Sequence, residues 1–341
     1  MMLRWAVATV LLLGGAVWLF TWWQTRVIER AYPPSGSFVA LEDGSRIHYT
    51  ERRPVGPERA TVLLLHGASG NQADMMLALG DRLAALGFRV VAPDRPGHGW
   101  SDRPDGAVEA WPARQADVLR AAMSRIGVER AIVVGHSWSG ALAADFALDQ
   151  PDFTQGLVLI SPVLYPWSTG IAWYYTPVTT PWFGPLFTSS VTVPLGLMAL
   201  DAGMREVFAP QSPPDRYAER TGLYLLLRPA EFMANAQDVH GLLAFVTEQA
   251  PRLQTIRRPT AIVTGDSDRI VSPTIHSERG AREIPGATLT LLPGTGHSPH
   301  WAAPDRVVDA IVDVARRSEQ EVPLPAPGGS AAARGASAPR Q

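Results

Sequence analysis

The segment AIVVGHSWSG, Ala131–Gly140, decides the fold of this chain. Its first five residues are a short apolar run of the kind that forms a buried strand. Small residues follow on both sides of Ser137, and the pattern that continues to Asp149 is typical of a helix. The sequence therefore predicts a strand, a tight turn that carries Ser137, and a helix over 137–149.

A serine on such a turn exposes its hydroxyl, which is the geometry of a nucleophile elbow. Gly135 lies two positions before Ser137, while Ser139 lies two positions after it, where glycine is usual. The backbone N–H of Trp138 would then point at a developing oxyanion, at the positive end of the helix. Two alternatives stay open: Ser137 as a helix cap only, and Ser139 as the nucleophile in a shifted register.

Apolar runs alternate with helical patterns on both sides of this segment. A hairpin is predicted where Asp43-Gly44 separates two short alternating runs, 38–41 and 46–51. Further strands are predicted over 61–65, 88–92, 156–161, 260–265 and 288–292, and further helices over 72–86 and 111–126. This alternation predicts an α/β fold with a mostly parallel, doubly wound sheet covered on both faces.

The pattern divides the chain into a core and an insertion. We assign 38–162 and 259–317 to the α/β core. The intervening residues 163–258 lack strand alternation and are too many for a bare loop, so we expect a helical cap, or lid. The low-complexity tail, 318–341, is expected to be disordered.

Aromatic residues are concentrated in the first part of the predicted cap. Two interpretations stay open: they bind an apolar acyl chain, or they form only the core of the cap itself. The residues concerned are Trp167, Trp173, Tyr174, Tyr175, Trp182, Phe183 and Phe187.

The N-terminus carries an uncharged run of 19 residues, Trp5–Trp23. As a helix it would cover roughly 28 Å, close to the hydrocarbon core of about 30 Å. Tryptophans at both ends favour an uncleaved membrane anchor over 5–23 rather than a cleaved signal peptide. A linker is then expected over 24–37. The flanking arginines are nearly balanced, and the short N-terminal stub favours a single-pass protein with its catalytic domain on the non-cytoplasmic (periplasmic or outer) face.

A nucleophilic serine needs a base, and the base needs an orienting carboxylate. Asp268 follows the strand 260–265, and His297 follows the strand 288–292, so both lie where open α/β sheets place their sites. The chain order Ser137, Asp268, His297 is the order expected for a strand–serine–helix elbow. Asp266 competes with Asp268, and His300 competes with His297, because each lies in the same loop.

A second glycine-rich turn, LLLHGASG at 63–70, also follows a strand. A loop after an early strand supplies the other oxyanion donor in elbow enzymes, and the N–H of Ala68 is our candidate. His66 is expected to have a structural role.

Composition excludes several classes of function. The chain has 46% hydrophobic residues, a net charge of −2 and no cysteine, which argues against nucleic acid as a partner and excludes thiolate chemistry. Neither a phosphate loop nor a dinucleotide fingerprint is present. His297 and His300 have the spacing of one helical turn, but the sequence brings no carboxylate cluster near them, so we predict neither a metal nor a cofactor.

Together these motifs resemble the α/β-hydrolases, a group that includes lipases, esterases, epoxide hydrolases and cofactor-free haloperoxidases. The resemblance covers roughly 38–316 and depends on LLLHGASG, on Asp94–Ser101, on GHSWSG, on TGDSDRIVSP and on PGTGHSPHW. It implies that Asp94 and Arg95 brace the site, and that residues 163–258 are the family's cap.

The resemblance implies a serine hydrolase that cleaves a carboxylic ester, with Ser137, Asp268 and His297 as catalytic residues. A hydrophobic or lipid-like ester is expected, because an anchor would hold the cap near lipid. Epoxide hydrolases and haloalkane dehalogenases attack with aspartate, so the serine at position 137 argues against their mechanism. Hydrolysis of a carbon–carbon bond in a diketone, and cofactor-free perhydrolysis or haloperoxidation, remain alternatives on the same three residues, as does a hydrolase fold reused for binding.

Overall fold

The computed structural model describes residues 1–320, apart from the side chain of Val10, and these residues form one eight-stranded sheet. Its order is β1-β2-β4-β3-β5-β6-β7-β8, with antiparallel pairing at β1–β2 and β2–β4 and parallel pairing elsewhere. This confirms the mostly parallel α/β sheet. In chain order the strands β1 to β8 are Ser37–Ala40, Arg46–Arg52, Ala60–Leu65, Phe88–Pro93, Ala131–His136, Thr154–Ile160, Thr260–Gly265 and Thr288–Leu292.

Twelve α-helices lie in the described part of the chain. In chain order α1 to α12 are Met2–Ala31, Gln72–Met75, Asp81–Ala85, Pro112–Arg125, Ser139–Asp149, Tyr175–Thr179, Phe183–Phe208, Tyr217–Thr221, Pro229–Gln249, Arg279–Glu283, Pro299–Ala302 and Pro304–Gln320. A π-helical turn, Met76–Gly80, joins α2 to α3, so these three pieces fill the range predicted as one helix over 72–86.

Side chains that alternate along the strands build a separate core on each face of the sheet. On β3, Leu63 and Leu65 belong to the core that contains α4, α5 and α9, whereas Val62 and Leu64 belong to the core that contains α12. Because successive residues of a strand point to opposite faces, a continuous apolar run is needed to bury both. This requirement is why the continuous apolar runs in the sequence predict a sheet covered by helices on both faces.

The predicted strands and the hairpin are present, with end shifts of one or two residues. The helix predicted over 137–149 begins at Ser139 instead. Ser137 has φ +54°, in the left-handed region, and a right-handed helix cannot include such a residue.

Between β6 and β7 the fully described chain contains the helices α6 to α9 and no strand. We propose that residues 163–258 form the cap, as the sequence predicts. Helix α9 runs back across the core, and its Leu242, Phe245 and Val246 are buried among core residues. The cap is therefore seated on the core through an apolar face.

The N-terminal helix α1 has 30 residues and is long and apolar enough to cross a membrane. Residues 24–31 of the predicted linker, 24–37, are helical, because α1 continues without a glycine or proline until it ends before Pro33. Its last turns pack on the cap, because Ile28 is buried beside Val193 and Leu225. The cap helix α7 also meets the length and composition of a membrane span, but part of it is buried in the protein.

The predicted tail, 318–341, lies outside the described residues from position 321 onward. The prediction was wrong for its first three residues, since α12 continues to Gln320. The amphipathic pattern of α12, which buries Val307, Ile311 and Val314, carries the helix past the predicted end of the core.

Asp145 on α5 should make stability depend on pH. Burial, reinforced by the nearby charge of Asp149 and opposed by Arg252, raises the pKa of the Asp145 carboxyl from 3.8 to about 7. Between these values the folded state binds more protons than the unfolded state, so stability falls as pH rises.

We therefore expect Asp145→Asn to raise the melting temperature relative to the parent protein more at pH 8 than at pH 4. Thermal denaturation at both pH values measures this. Asp81→Asn is the control, because 88% of its side chain is exposed and its effect should be similar at both values. An equal gain for Asp145→Asn at pH 4 and pH 8 would contradict the prediction.

Candidate active site

The turn after β5 is possible only because small residues surround it. A Cβ on Gly135 would lie 2.2 Å from the Ser139 carbonyl oxygen and 2.7 Å from the Cβ of Ala143. A Cβ on Gly140 would lie 2.4 Å from the Cβ of Pro162. The start of α5 therefore packs directly against the end of β5, and Ser137 is held at the turn in its left-handed conformation.

Ser139, which stands where glycine is usual, has a structural contact. It is fully buried, and its hydroxyl donates a hydrogen bond of 2.5 Å to the carbonyl oxygen of His66. Its side chain thereby joins the elbow to the glycine-rich loop after β3. Of the two serines on the turn, Ser137 is the one whose hydroxyl contacts the imidazole ring of a histidine.

The structure brings Ser137, His297 and Asp268 together in one chain of hydrogen bonds. The Ser137 Oγ lies 2.8 Å from His297 Nε2, and His297 Nδ1 lies 2.7 Å from Asp268 Oδ2. The other oxygen of Asp268 accepts the N–H groups of Ile270 and Val271 at 2.9 Å each. An ionised Asp268 would hold the proton of His297 on Nδ1, which leaves Nε2 free to accept the hydroxyl of Ser137.

The competing residues have other partners. Asp266 Oδ1 accepts the N–H of Gly294 at 2.8 Å and the hydroxyl of Ser267 at 2.8 Å, so it braces its turn. His300 Nε2 lies 3.1 Å from Asp74 Oδ2. Neither Asp266 nor His300 contacts Ser137.

The two candidate oxyanion donors lie beside Ser137. Ala68, Trp138 and Ser137 line the same cavity, and within residues 1–320 neither the Ala68 N–H nor the Trp138 N–H donates a hydrogen bond to the protein. A Cβ on Gly67 would lie 3.1 Å from the Cβ of Ser137, so the glycine-rich loop closely approaches the elbow. The arrangement offers two N–H groups near the serine hydroxyl.

His66 has a structural role, as the sequence predicts. Its Nε2 accepts the backbone N–H of Arg95 at 3.0 Å, so its proton resides on Nδ1, which donates to the Gly67 oxygen at 2.9 Å. Burial, followed by the charge of Arg95, lowers the pKa of His66 well below its usual range and keeps the ring neutral.

Asp94 and Arg95 brace the segments in and next to the glycine-rich loop, 63–70. Asp94 accepts the N–H of Gln72 at 2.8 Å and contacts His48 Nδ1 at 2.7 Å. The buried guanidinium of Arg95 lies 4.0 Å from the ring centre of Trp138 and pairs with Asp238 on α9. Both residues therefore make the bracing contacts that the family resemblance implies.

These observations agree with a comparison of the whole chain with known families. The family model described as the alpha/beta hydrolase fold matches residues 60–304, more than two thirds of the 341 residues. The chain belongs to the α/β-hydrolase fold family.

Individual relatives within this hydrolase family differ in activity. The 2-hydroxy-6-oxo-6-phenylhexa-2,4-dienoate hydrolase of Burkholderia cepacia is 29% identical over 288 residues, which cover 81% of this chain and 95% of the relative. A thermophilic esterase from Thermogutta terrifontis has a TM-score of 0.66 at 22% identity, over 83% of this chain and 99% of the other. A membrane phospholipase A described as a bacterial virulence factor has a TM-score of 0.63 at 24% identity, over 92% and 99%. The two structural likenesses show the fold alone.

The hydrolase site opens into a large apolar cavity beneath the cap. Its volume is about 1190 Å³, and its lining includes Ser137, His297, Asp268 and much of α7. Of the seven cap aromatics, Trp182 and Phe183 do not belong to the lining, while five do: Trp167, Trp173, Tyr174, Tyr175 and Phe187. Most of these aromatic residues therefore border the cavity.

A buried polar cluster beside His297 was missed by the sequence analysis. Asp74, His136 and His300 offer ligand atoms within 4.8 Å of one another. Asp74 Oδ1 accepts the Tyr217 hydroxyl at 2.8 Å and the indole Nε1–H of Trp301 at 2.7 Å. Burial works against its charge, but the adjacent His300 and the hydrogen bond to it lower the pKa of Asp74.

This cluster corrects one step of the sequence argument. The argument against a metal used the lack of carboxylates near His297 and His300 in sequence, yet folding brings Asp74 to His300 across 226 positions. His136 Nε2 lies 3.0 Å from the carbonyl oxygen of His297, so the cluster also supports the loop of the candidate base. No local motif marks Asp74, which is why the sequence gives no signal for it.

The crowding at Gly135 yields a second prediction. We expect Gly135→Ala to lower the unfolding free energy by about 1–3 kcal/mol, because the new methyl group overlaps Ser139 and Ala143. Activity should fall with it, since α5 must shift away from β5. Denaturant unfolding and ester turnover measure the two effects.

Gly241→Ala is the matched control for this prediction. Gly241 lies within α9, and a Cβ there would meet nothing within 4 Å. Alanine has the better helix propensity, so this variant should be as stable as the parent protein or more so. A Gly135→Ala variant that behaves like Gly241→Ala would contradict the steric argument.

Proposed function

We propose that this chain is a serine hydrolase that cleaves carboxylic esters through an acyl-enzyme intermediate. The observation that supports it best is the hydrogen-bond chain Ser137–His297–Asp268, which ends at a serine hydroxyl facing a substrate-sized cavity. The N–H groups of Ala68 and Trp138, which donate no hydrogen bond within residues 1–320, belong to residues that line the same cavity as Ser137. A nucleophile, a base, an orienting carboxylate and oxyanion donors together are the requirements of acyl transfer.

In the proposed mechanism, His297 Nε2 takes the proton of Ser137 as the Oγ attacks the acyl carbon. Asp268 keeps the imidazole in the required tautomer and stabilises its cation, without itself becoming protonated. The N–H groups of Ala68 and Trp138 receive the negative charge on the acyl oxygen. His297 then gives its proton to the leaving alcohol, and water attacks the acyl-enzyme by the reverse sequence of proton transfers.

Hydrolysis of a carbon–carbon bond in a diketone is the second candidate. It is supported by the relative from Burkholderia cepacia, whose printed name is that of a dienoate hydrolase. Perhydrolysis on the same residues is a further alternative from the sequence. Failure to turn over any ester, together with activity on a ring-cleavage diketone, would select carbon–carbon bond hydrolysis.

The substrate we propose is a hydrophobic or lipid-like ester. The apolar cavity, five aromatic side chains along it and a membrane-length helix at the N-terminus support this choice. Helix α1 also packs on the cap helix that lines the cavity, since the Thr21 hydroxyl donates to the Ser190 oxygen at 3.2 Å. An anchored chain would therefore hold its cavity close to the bilayer surface.

We propose a single-pass membrane location with the catalytic domain on the non-cytoplasmic side. The length and composition of α1 support the membrane part of this proposal. The side of the membrane is predicted from the arginines that flank the apolar run and from the short N-terminal stub before that run.

The nucleophile can be tested by covalent labelling. We expect Ser137→Ala to abolish labelling by a fluorophosphonate probe, because the probe phosphonylates the activated serine with loss of fluoride. Ser139→Ala is the matched control on the same turn and should still be labelled. Labelling that survives in Ser137→Ala and disappears in Ser139→Ala would move the nucleophile to position 139.

The substrate class can be tested with esters of three acyl lengths, assayed with and without phospholipid vesicles. We expect kcat/KM to rise with chain length, since each buried methylene contributes about 0.8 kcal/mol. Vesicles should increase turnover of the longest ester. A sharp preference for short, soluble esters would contradict the lipid-like substrate and leave the ester chemistry intact.

A further inference from the structure

The cap helix α9 reaches across the core to the loop that carries Ala68. Asn235 on α9 is fully buried, and its Oδ1 accepts the N–H of Ser69 at 2.7 Å. Its Nδ2 donates to the Ser69 Oγ at 3.1 Å. One amide side chain thus holds both the backbone N–H and the hydroxyl of the residue that follows Ala68, although 166 positions separate Ser69 from Asn235 in sequence.

Ser69 needs such support because its backbone is strained. Its φ is +57°, in the left-handed region that residues other than glycine seldom adopt. The hydrogen bond from Ser69 to Asn235 fixes the peptide unit that joins Ala68 to Ser69. A loop without this contact would be free to relax toward an ordinary backbone conformation.

The peptide unit on the other side of Ala68 is also held, and again through α9. The Gly67 oxygen and the Ala68 N–H belong to one planar unit, so the partners of that oxygen set the direction of the N–H. The Gly67 oxygen accepts from His66 Nδ1 at 2.9 Å and from Arg95 Nη2 at 3.3 Å. Arg95 in turn pairs with Asp238 at 2.5 Å, three residues after Asn235 on the same helix.

We propose that α9 of the cap positions the oxyanion hole, and that Asn235 is the positioning residue for the Ala68 N–H. This inference rests on the proposed function, in which that N–H receives the oxyanion. Asn235 acts directly on Ser69, and Asp238 acts through Arg95 on Gly67. Lifting α9 from the core would break these contacts, so the oxyanion hole is complete only when the cap is seated.

The test variant is Asn235→Leu, which keeps the size of the side chain and removes both hydrogen bonds to Ser69. The full-length protein is assayed with p-nitrophenyl butyrate in detergent. We expect kcat to fall by about 10- to 100-fold, because a misdirected donor costs less than a deleted one. KM should change by less than about threefold, since ground-state binding in the apolar cavity is retained.

A trifluoromethyl ketone supplies a readout that a merely structural role would not move. The Ser137 Oγ adds to its carbonyl carbon, the serine proton passes to His297, and the carbonyl oxygen becomes an oxyanion in the hole. We expect the affinity of Asn235→Leu for this inhibitor to fall by the same factor as kcat. Asn235→Asp keeps an acceptor for the Ser69 N–H and should recover most of the lost kcat.

Gln249→Leu is the matched control. Gln249 lies on the same helix and is buried, and its Nε2 donates to the Ala141 oxygen at 2.9 Å, so it joins cap to core without touching the Ala68 loop. We expect Gln249→Leu to lower the melting temperature about as much as Asn235→Leu and to change kcat by less than about twofold. Should Asn235→Leu fail to fold, Asn235→Ala takes its place with the same expected loss.

Two results would overturn the proposal: a kcat for the Asn235 variant equal to that of Gln249→Leu, or a fall in kcat without a matching fall in inhibitor affinity. Ser137→Ala separates this failure from failure of the proposed function. Turnover that persists in Ser137→Ala would refute the function itself. An inactive Ser137→Ala beside a fully active Asn235→Leu would refute only the positioning role.

Discussion

The conformation of Ser137 is the constraint on which the candidate site depends. At the end of β5 the chain must turn within two residues to begin α5, and only the left-handed backbone at Ser137, φ +54°, makes that turn. Gly135 and Gly140 are required because any Cβ there would overlap α5 or Pro162. The strain is maintained by the buried sheet on one side and the buried helix on the other, and it leaves the serine hydroxyl pointing out of the core toward His297.

A second constraint joins the core to the cap through buried charge. Asp238 on α9 accepts hydrogen bonds from Arg95, Arg103 and Gln115, and Arg95 is fully buried against Trp138. Removing one member of such a group leaves an unpaired charge in the interior, at a cost of roughly 3–5 kcal/mol. The network is therefore a poor source of net stability and a strong determinant of geometry. With these contacts formed, α9 is seated where Asn235 reaches Ser69.

A third set of contacts joins the N-terminal helix α1 to the cap. The turns of α1 beyond the apolar run pack against α7, and the indole Nε1–H of Trp100 donates to the Tyr32 oxygen at 3.1 Å just after α1 ends. Helix α7, which lines the cavity, therefore also supports α1, the helix long enough to cross a membrane. In the function we propose, anchor, cap and cavity form one continuous apolar unit over a polar catalytic centre.

The sequence by itself determined the α/β fold, the strand order along the chain and the candidates Ser137, Asp268 and His297, because strands, turns and elbow residues are local patterns. It also gave Ala68 and Trp138 as candidate oxyanion donors, because each lies two or three residues after the end of a strand. It missed that α1 continues to Ala31, although residues 24–31 contain no glycine or proline and Pro33 follows the helix end. Nor could it find Asp74 or Asn235, which act across 226 and 166 positions and carry no local motif. Contacts of that range are decided only by tertiary packing, which brings the cap helix and the loops at the strand ends into one place.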